Sequence, residues 1–117
     1  MRVPEKYYDE IFDFKGQWDM PSRCGLKILM QEKPVIIVTE LYQDNPGTSV
    51  TAAGKSLAEQ ICQSKGLNLN EIIYLHCNPD TNSKLSFYDE EFFEVDLTSK
   101  ELSYRKLNAE EILKLIK

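Results

Sequence analysis

The sequence is short of the residues from which most active centres are assembled. It holds one histidine and three cysteines among 117 residues, and no two cysteines share a CxxC spacing. A single imidazole without companions at metal-ligand spacing gives no metal site, and no motif calls for a cofactor. Cys24, Cys62 and Cys77 are odd in number and read as reduced thiols, each a small core residue, which makes the cytoplasm the expected location. Apolar runs are as short as Val35 to Val38, far below a membrane span, so no membrane role is expected. The opening MRVPEKYYDE lacks the apolar core of a secretory signal. Positive charge is also sparse: 14 Lys and Arg against 19 Asp and Glu leave a net charge of −5 with no basic run. Direct binding to nucleic acid phosphates or to anionic lipid is therefore not expected.

What remains is an ordinary globular composition, 42% hydrophobic and 28% charged, over a length that suits one domain spanning residues 1–117 with a single core. The pattern within it alternates between strand and helix. Residues 5–14, EKYYDEIFDF, fit a short helix presenting Tyr8, Ile11 and Phe12 on one side, or an extended aromatic arm. Cys24, Leu26, Ile28 and Met30 alternate with Gly25, Lys27 and Leu29, as on a strand with one buried face. The polar link Gln31 to Lys33 leads into Pro34 to Leu41, a β-branched run apolar on both sides, which predicts a central strand paired antiparallel with the one before it.

Asn45-Pro46-Gly47 predicts a turn, after which Thr48 or Ser49 can cap a helix. Val50, Ala53, Leu57, Ala58, Ile61 and Cys62 form its buried stripe, and Gly66 stops it in the left-handed conformation with Leu67 folding back. Ile72 to Cys77 is the next strand. A strand–helix–strand unit makes it parallel to Pro34–Leu41. Leu85 to Leu97 reads as one long or broken strand and Leu102 to Leu107 as another, before Asn108 and Glu111 form a capping box for a last helix to Ile116. The expected fold is α+β, or a small α/β sandwich, with a mixed sheet of about five strands, one long crossover helix and a short C-terminal helix.

Four features carry possible chemistry. Gly54-Lys55-Ser56 has the ending of a phosphate-binding loop, but that motif needs glycine where Ser49 stands, and Gly47 comes two residues too early. Helical periodicity also runs through Gly54–Ser56, so their amides are engaged within the helix. The turn before that helix gathers Asp44, Asn45, Thr48, Ser49 and Thr51 at a positive helix end, which suits a small anion. The same residue types also build plain turns and caps, and that plainer reading leads. His76 and Cys77 alternate across a strand and cannot act together. His76 can instead pair with Glu40 or Asp44 from the parallel strand, a general-base arrangement, although a hydrogen-bonded structural histidine is the commoner case. Finally, Asp89 to Asp96 places carboxylates around Phe92, Phe93 and Val95. Alternation there sends Phe93, Val95 and Leu97 inward and leaves Phe92, Glu94 and Asp96 outward, as a solvated edge or as an acidic partner surface anchored by Phe92.

The element order up to Cys77 also matches the core of restriction-type nucleases. The strand Cys24–Met30 has no carboxylate, however, and no lysine follows two residues after Glu40, so the nuclease chemistry is missing. A different likeness lies in VIIVTELYQDNPGTSVT, followed by a helix and IIYLHC. Over residues 34–77 this resembles a set of small bacterial proteins with a VTEL…DNPGTSVT core and no established activity. The resemblance implies a bacterial cytoplasmic protein and carries no reaction type. Together these readings favour a non-enzymatic binding or regulatory module, engaging a protein partner, a second copy of itself or a small anionic ligand. The alternatives are a hydrolase or transferase with His76 as base and Glu40 orienting it, and an acidic nucleic-acid mimic acting through Asp89–Asp96.

Because the Gly54–Ser56 amides belong to a helix, ATP and GTP with magnesium should leave the melting temperature unchanged. A saturable rise in a thermal-shift titration would contradict that expectation.

Overall fold

The computed structural model describes residues 5–13, 23–40, 54–78, 91–98 and 103–116. They form an α+β fold on one six-stranded mixed sheet. Its centre is the parallel pair β3 (Val35–Glu40) and β4 (Ile73–Asn78), with Val35 opposite Ile73 and Val38 opposite His76. The pairing starts where the Ile73 amide donates to the Pro34 carbonyl at 2.9 Å. Val35 to Thr39 and Tyr74 to Cys77 are all buried, which explains runs of apolar residues that do not alternate with polar ones.

The other strands extend this pair in chain order. β2 (Arg23–Leu29) lies antiparallel to β3 through the polar link Gln31–Lys33, as the spacing predicts. β1 (Glu10–Asp13) pairs antiparallel with β2 and forms one edge. On the far side β5 (Glu91–Asp96) pairs with β4, and β6 (Ser103–Leu107) pairs with β5 to form the other edge, both antiparallel.

Each face of the sheet has its own cover. On the first, the helix α1 (Gly54–Lys65) lays Leu57, Ala58, Ile61 and Cys62 against Cys24, Leu26, Ile36, Val38, Tyr74 and Val95. Gly66 ends it at φ 70°, with the Leu67 amide donating to the Cys62 carbonyl at 2.9 Å and the Gly66 amide to the Gln63 carbonyl at 3.5 Å. This is a Schellman closure, and Leu67 packs back on the same cluster. On the second face, Tyr7 and Tyr8 share a cluster with Val35, Ile37, Leu75, Cys77 and Leu107, completed by Ile112, Leu115 and Ile116 from α2 (Ala109–Leu115) and its end. The capping box forms as expected: the Glu111 amide donates to Asn108 Oδ1 at 2.9 Å, and the Asn108 amide to Glu111 Oε1 at 3.1 Å. The three cysteines are buried and unbridged.

One open reading is resolved and one expectation is refined. Of the two readings of residues 5–14, a short helix or an extended arm, the described residues 5–13 follow the extended one after a single turn. A 3₁₀ turn at Glu5–Tyr7 leads directly into β1, the strand that raises the count from five to six. The sheet captures this backbone, because the Asp9 amide donates to the Leu26 carbonyl at 3.1 Å while Tyr7 and Tyr8 settle onto the second face. Phe92 lies on the face opposite Phe93, as alternation predicts, but that face is partly covered, and Phe92 is half-buried against the second cluster. The expected turn at Asn45–Gly47, the expected cap at Thr48 or Ser49, residues 50–53 and the strand segment 85–90 lie outside the described residues.

Gly25, in mid-strand, is explained by Tyr8. A Cβ at Gly25 would sit 2.7 Å from the Tyr8 Cβ and 2.8 Å from the ring carbon Cγ, so only glycine lets the ring lie on the strand. Gly25→Ala should therefore cost about 1–3 kcal/mol, the usual penalty of overfilling a packed site. In chemical denaturation, Gly25→Ala should cost less in a Tyr8→Ala background, which removes the ring but keeps the Cβ, than in the wild type. An unchanged midpoint for Gly25→Ala would contradict the close approach.

Candidate functional site

The site residues expected from the sequence do not converge on one place among the described residues. His76 belongs to the first face with no exposed surface, its ring centroid 6.4 Å from that of Phe93. Glu40 stands two positions past Val38, the register partner of His76, so the backbone brings the two residues to neighbouring positions. Complete burial nevertheless keeps the imidazole away from a solute at the surface. Asp44, Asn45, Thr48, Ser49 and Thr51 lie outside the described residues. Glu94 is held by Arg105 at 3.0 Å, and Asp96 Oδ1 accepts from the Thr98 amide at 2.9 Å and from the Thr98 hydroxyl at 2.7 Å. With Phe92 packed under the second cluster, these three share a strand but not a common exposed surface.

The described residues line three clefts: one of about 380 Å³ between β1 and α1, lined by Phe12, Asp13, Gln60, Gln63 and Ser64, and two that open on the sheet. The larger, about 430 Å³, lies near the start of β4 and includes Lys33, Glu94, Asp96, Thr98 and Arg105. Most of its charge is already committed. Arg105 bridges Glu94 and Glu111, and its hydrogen bond holds the Glu111 carboxyl below the usual range. That network ties β5, β6 and α2 together and leaves little of the cleft's polarity for a ligand.

The smaller cleft, about 280 Å³, crosses the second face. Its floor takes one residue from each of four adjacent strands: Leu29 from β2, Ile37 from β3, Cys77 from β4 and Phe92 from β5. Tyr7 and Ile116, one from each part of the cover, also line it. The walls are held in place from outside. Thr39 Oγ1 donates to the Tyr7 carbonyl at 3.2 Å, and Gln31 Nε2 donates to the Leu115 carbonyl at 2.7 Å. Among the described residues of the lining, the two charged ones are Lys6 and Lys27, both cations. Lys27 Nζ lies 3.9 Å from the Asp9 carboxylate and donates to the Lys6 carbonyl at 3.5 Å, both long contacts. Lys6 Nζ sits 4.9 Å from the centre of the Tyr7 ring. An apolar hollow with a few polar groups has the usual make-up of a small-molecule site.

Sequence reasoning did not find this cleft. Lys27 and Leu29 fell on the strand face read as solvent-facing, Phe92 was assigned to a partner surface, and Lys6 and Ile116 carried no signal at all. The residues come from six separate elements, and only their folding onto one face brings them together.

No protein-family model, curated protein or solved structure matches the chain.

One polar group beneath α1 has a measurable consequence. The Tyr74 hydroxyl is buried without a hydrogen-bond partner among the described residues. Burial foremost, and then the Cys24 and Cys62 thiols, push its pKa well above the ordinary tyrosine value. The folded state thus keeps the neutral phenol, while the unfolded chain ionises near its ordinary pKa of about 10. Stability from this group is complete below that pH and declines as the pH rises beyond it. Tyr74→Phe should raise unfolding stability at neutral pH by about 1–3 kcal/mol, the cost of an unsatisfied buried hydroxyl, and should flatten the alkaline decline. Denaturation at pH 7 and above pH 10 tests both, and a destabilised variant would mean that the hydroxyl is bonded.

Proposed function

We propose that this chain is a non-enzymatic binding module that holds a small ligand with an apolar body in the cleft on the second face of the sheet. The observation that carries this reading is the floor. Four neighbouring strands contribute Leu29, Ile37, Cys77 and Phe92 to one hollow between Tyr7 and Ile116. Leu29, Phe92 and Ile116 are half-buried, and the apolar surface they leave facing water is covered favourably by an apolar guest, by about 25 cal/mol for each Å² removed from solvent.

The lining also favours binding over catalysis. Among the described lining residues the groups that hold or transfer protons are two lysines, the Tyr7 phenol and a thiol, and Cys77 is 1% exposed. The chain's one imidazole belongs to the opposite face, in contact with Phe93 rather than with the cleft. A nucleophile and a base within hydrogen-bond reach of each other are what covalent catalysis requires, and the lining residues do not supply that pair.

Titration with hexan-1-ol, followed by amide chemical shifts, tests the reading. Saturable shifts should cluster at Tyr7, Leu29, Ile37, Cys77, Phe92 and Ile116. Leu29→Trp, which fills the hollow, should abolish them while the spectrum keeps its dispersion. Shifts that grow linearly without saturation, or that scatter over the surface, would reject the cleft as a binding site.

A further inference from the structure

We infer that α2 is a lid on this cleft, hinged at Asn108 and latched at its far end by Gln31, and that the latched end lifts to admit or release a guest. The inference rests on the binding-module reading above and adds to it how the site opens and closes.

The covers on the two faces are held unequally. On the first face Leu57, Ala58, Ile61 and Cys62 of α1 are each no more than 2% exposed. On the second, no residue of α2 is buried. Ile112 and Leu115, with Ile116 beyond them, are only half-buried against the second cluster, and Leu113 is 73% exposed, so the outer side of α2 faces solvent. A helix of seven residues does not hold its shape in water unaided, and α2 relies on its capping box and its seat on the sheet. Few buried apolar contacts and exposed backbone hydrogen bonds are the marks of a segment that opens locally, at much less cost than global unfolding. The tyrosine turn, the other part of this cover, is fixed. Tyr7 and Tyr8 are buried, Thr39 Oγ1 donates to the Tyr7 carbonyl at 3.2 Å, and the Asp9 amide donates to the Leu26 carbonyl at 3.1 Å. Of the two parts, α2 is the one that moves.

The polar ties of α2 mark its hinge and its latch. Leu107, which ends β6, is 3% exposed and packed in the second cluster. Asn108 follows with an extended backbone, φ −87° and ψ 172°, and α2 starts at the next residue. Arg105 reaches from β6 to Glu111 in the first turn, so this end stays in place. At the far end the Leu115 carbonyl, among the last that a helix leaves without an internal partner, accepts from Gln31 Nε2 at 2.7 Å. Gln31 lies in the link between β2 and β3, 84 positions away along the chain, so the bond ties the end of α2 to a distant part of the sheet. Ile116, the next residue after Leu115, lines the cleft. Releasing Gln31 therefore withdraws Ile116 from the hollow, and a guest seated against Ile116 holds that end down.

Amide hydrogen exchange, under conditions where reclosing outruns exchange, provides the test. The reporter is Ile116, whose amide donates to the Ile112 carbonyl at 2.9 Å and loses that bond when the lifted helix unravels. In the free protein it should exchange at least about tenfold faster than the amides of β3 and β4, which open only globally. Gln31→Ala should speed it about fivefold, the size of one net hydrogen bond. Hexan-1-ol at ten times its Kd should slow it by about elevenfold, because a site filled only when α2 is closed protects by the factor 1 + [L]/Kd. In Leu29→Trp, which fills the hollow, hexan-1-ol should leave the rate unchanged. An Ile116 amide as slow as those of β3 and β4, or indifferent to Gln31→Ala or to saturating hexan-1-ol in the wild type, would overturn the lid and leave a cleft that fills without it. Absence of saturable hexan-1-ol binding would overturn the cleft reading and this inference together.

Discussion

The parallel pairing of β3 with β4 is the constraint on which the rest of the structure depends. Strands with apolar side chains on both sides cannot face water on either, so the pair requires two covers and flanking strands. Parallel strands also need a crossover between them, and that crossover is itself the first cover, since α1 belongs to the segment joining β3 to β4. The second cover has no such connection to draw on. It is assembled from the two ends of the described chain: the turn carrying Tyr7 and Tyr8, and α2 with Ile116. The strap from Thr39 to the Tyr7 carbonyl and that from Gln31 to the Leu115 carbonyl hold those ends down, both anchored in or beside β3.

Much of the first face was legible in the sequence because its signals are local. The β-branched run Val35–Val38, the helical stripe through Leu57 to Cys62, the left-handed Gly66 and the Asn108–Glu111 box each act within a few residues, and each appears where the pattern puts it. The failures came where a distant partner overrides local preference. EKYYDEIFDF has helical spacing, yet pairing of Glu10 to Asp13 with the β2 backbone outweighs a short, marginal helix. Gly25 looked like a polar-face filler, and its purpose emerges only when Tyr8, seventeen positions earlier in the numbering, comes to rest on it. Alternation assigned Phe92 correctly to the face opposite Phe93, but nothing local says that this face is also covered.

The candidate site was less legible still. Sequence reasoning looks for chemistry in short spacings, and so settled on His76 with Glu40 and on Asp44 to Thr51. The cleft on the second face has no such spacing, because its lining combines a 3₁₀ turn, four strands and the end of a helix. Its one sequence-level trace is Lys27, a cation flanked in parity by Gly25 and Leu29 on a strand whose other parity is buried. Such a position reads as solvent-facing when only one cover is imagined. Once a second cover exists, the same lysine becomes a charge held at the rim of an apolar surface.

Why the second face keeps a hollow at all follows from the lengths of its parts. Six strands spaced about 4.8 Å apart put some 24 Å between the outermost axes. The twelve residues of α1 span about 18 Å and carry a continuous stripe, enough to close the first face over its central strands. The seven residues of α2 span only about 10 Å, and the tyrosine turn adds little more than two side chains. Together they cover this face only in part among the described residues, and the hollow lies where Leu29, Ile37, Cys77 and Phe92 line it. A protein under selection for stability alone would fill that gap with larger side chains, since voids in a core are destabilising. Here Leu29, Cys77 and Phe92 line it without closing it. An under-filled apolar floor is the arrangement that the proposed guest with an apolar body would complete.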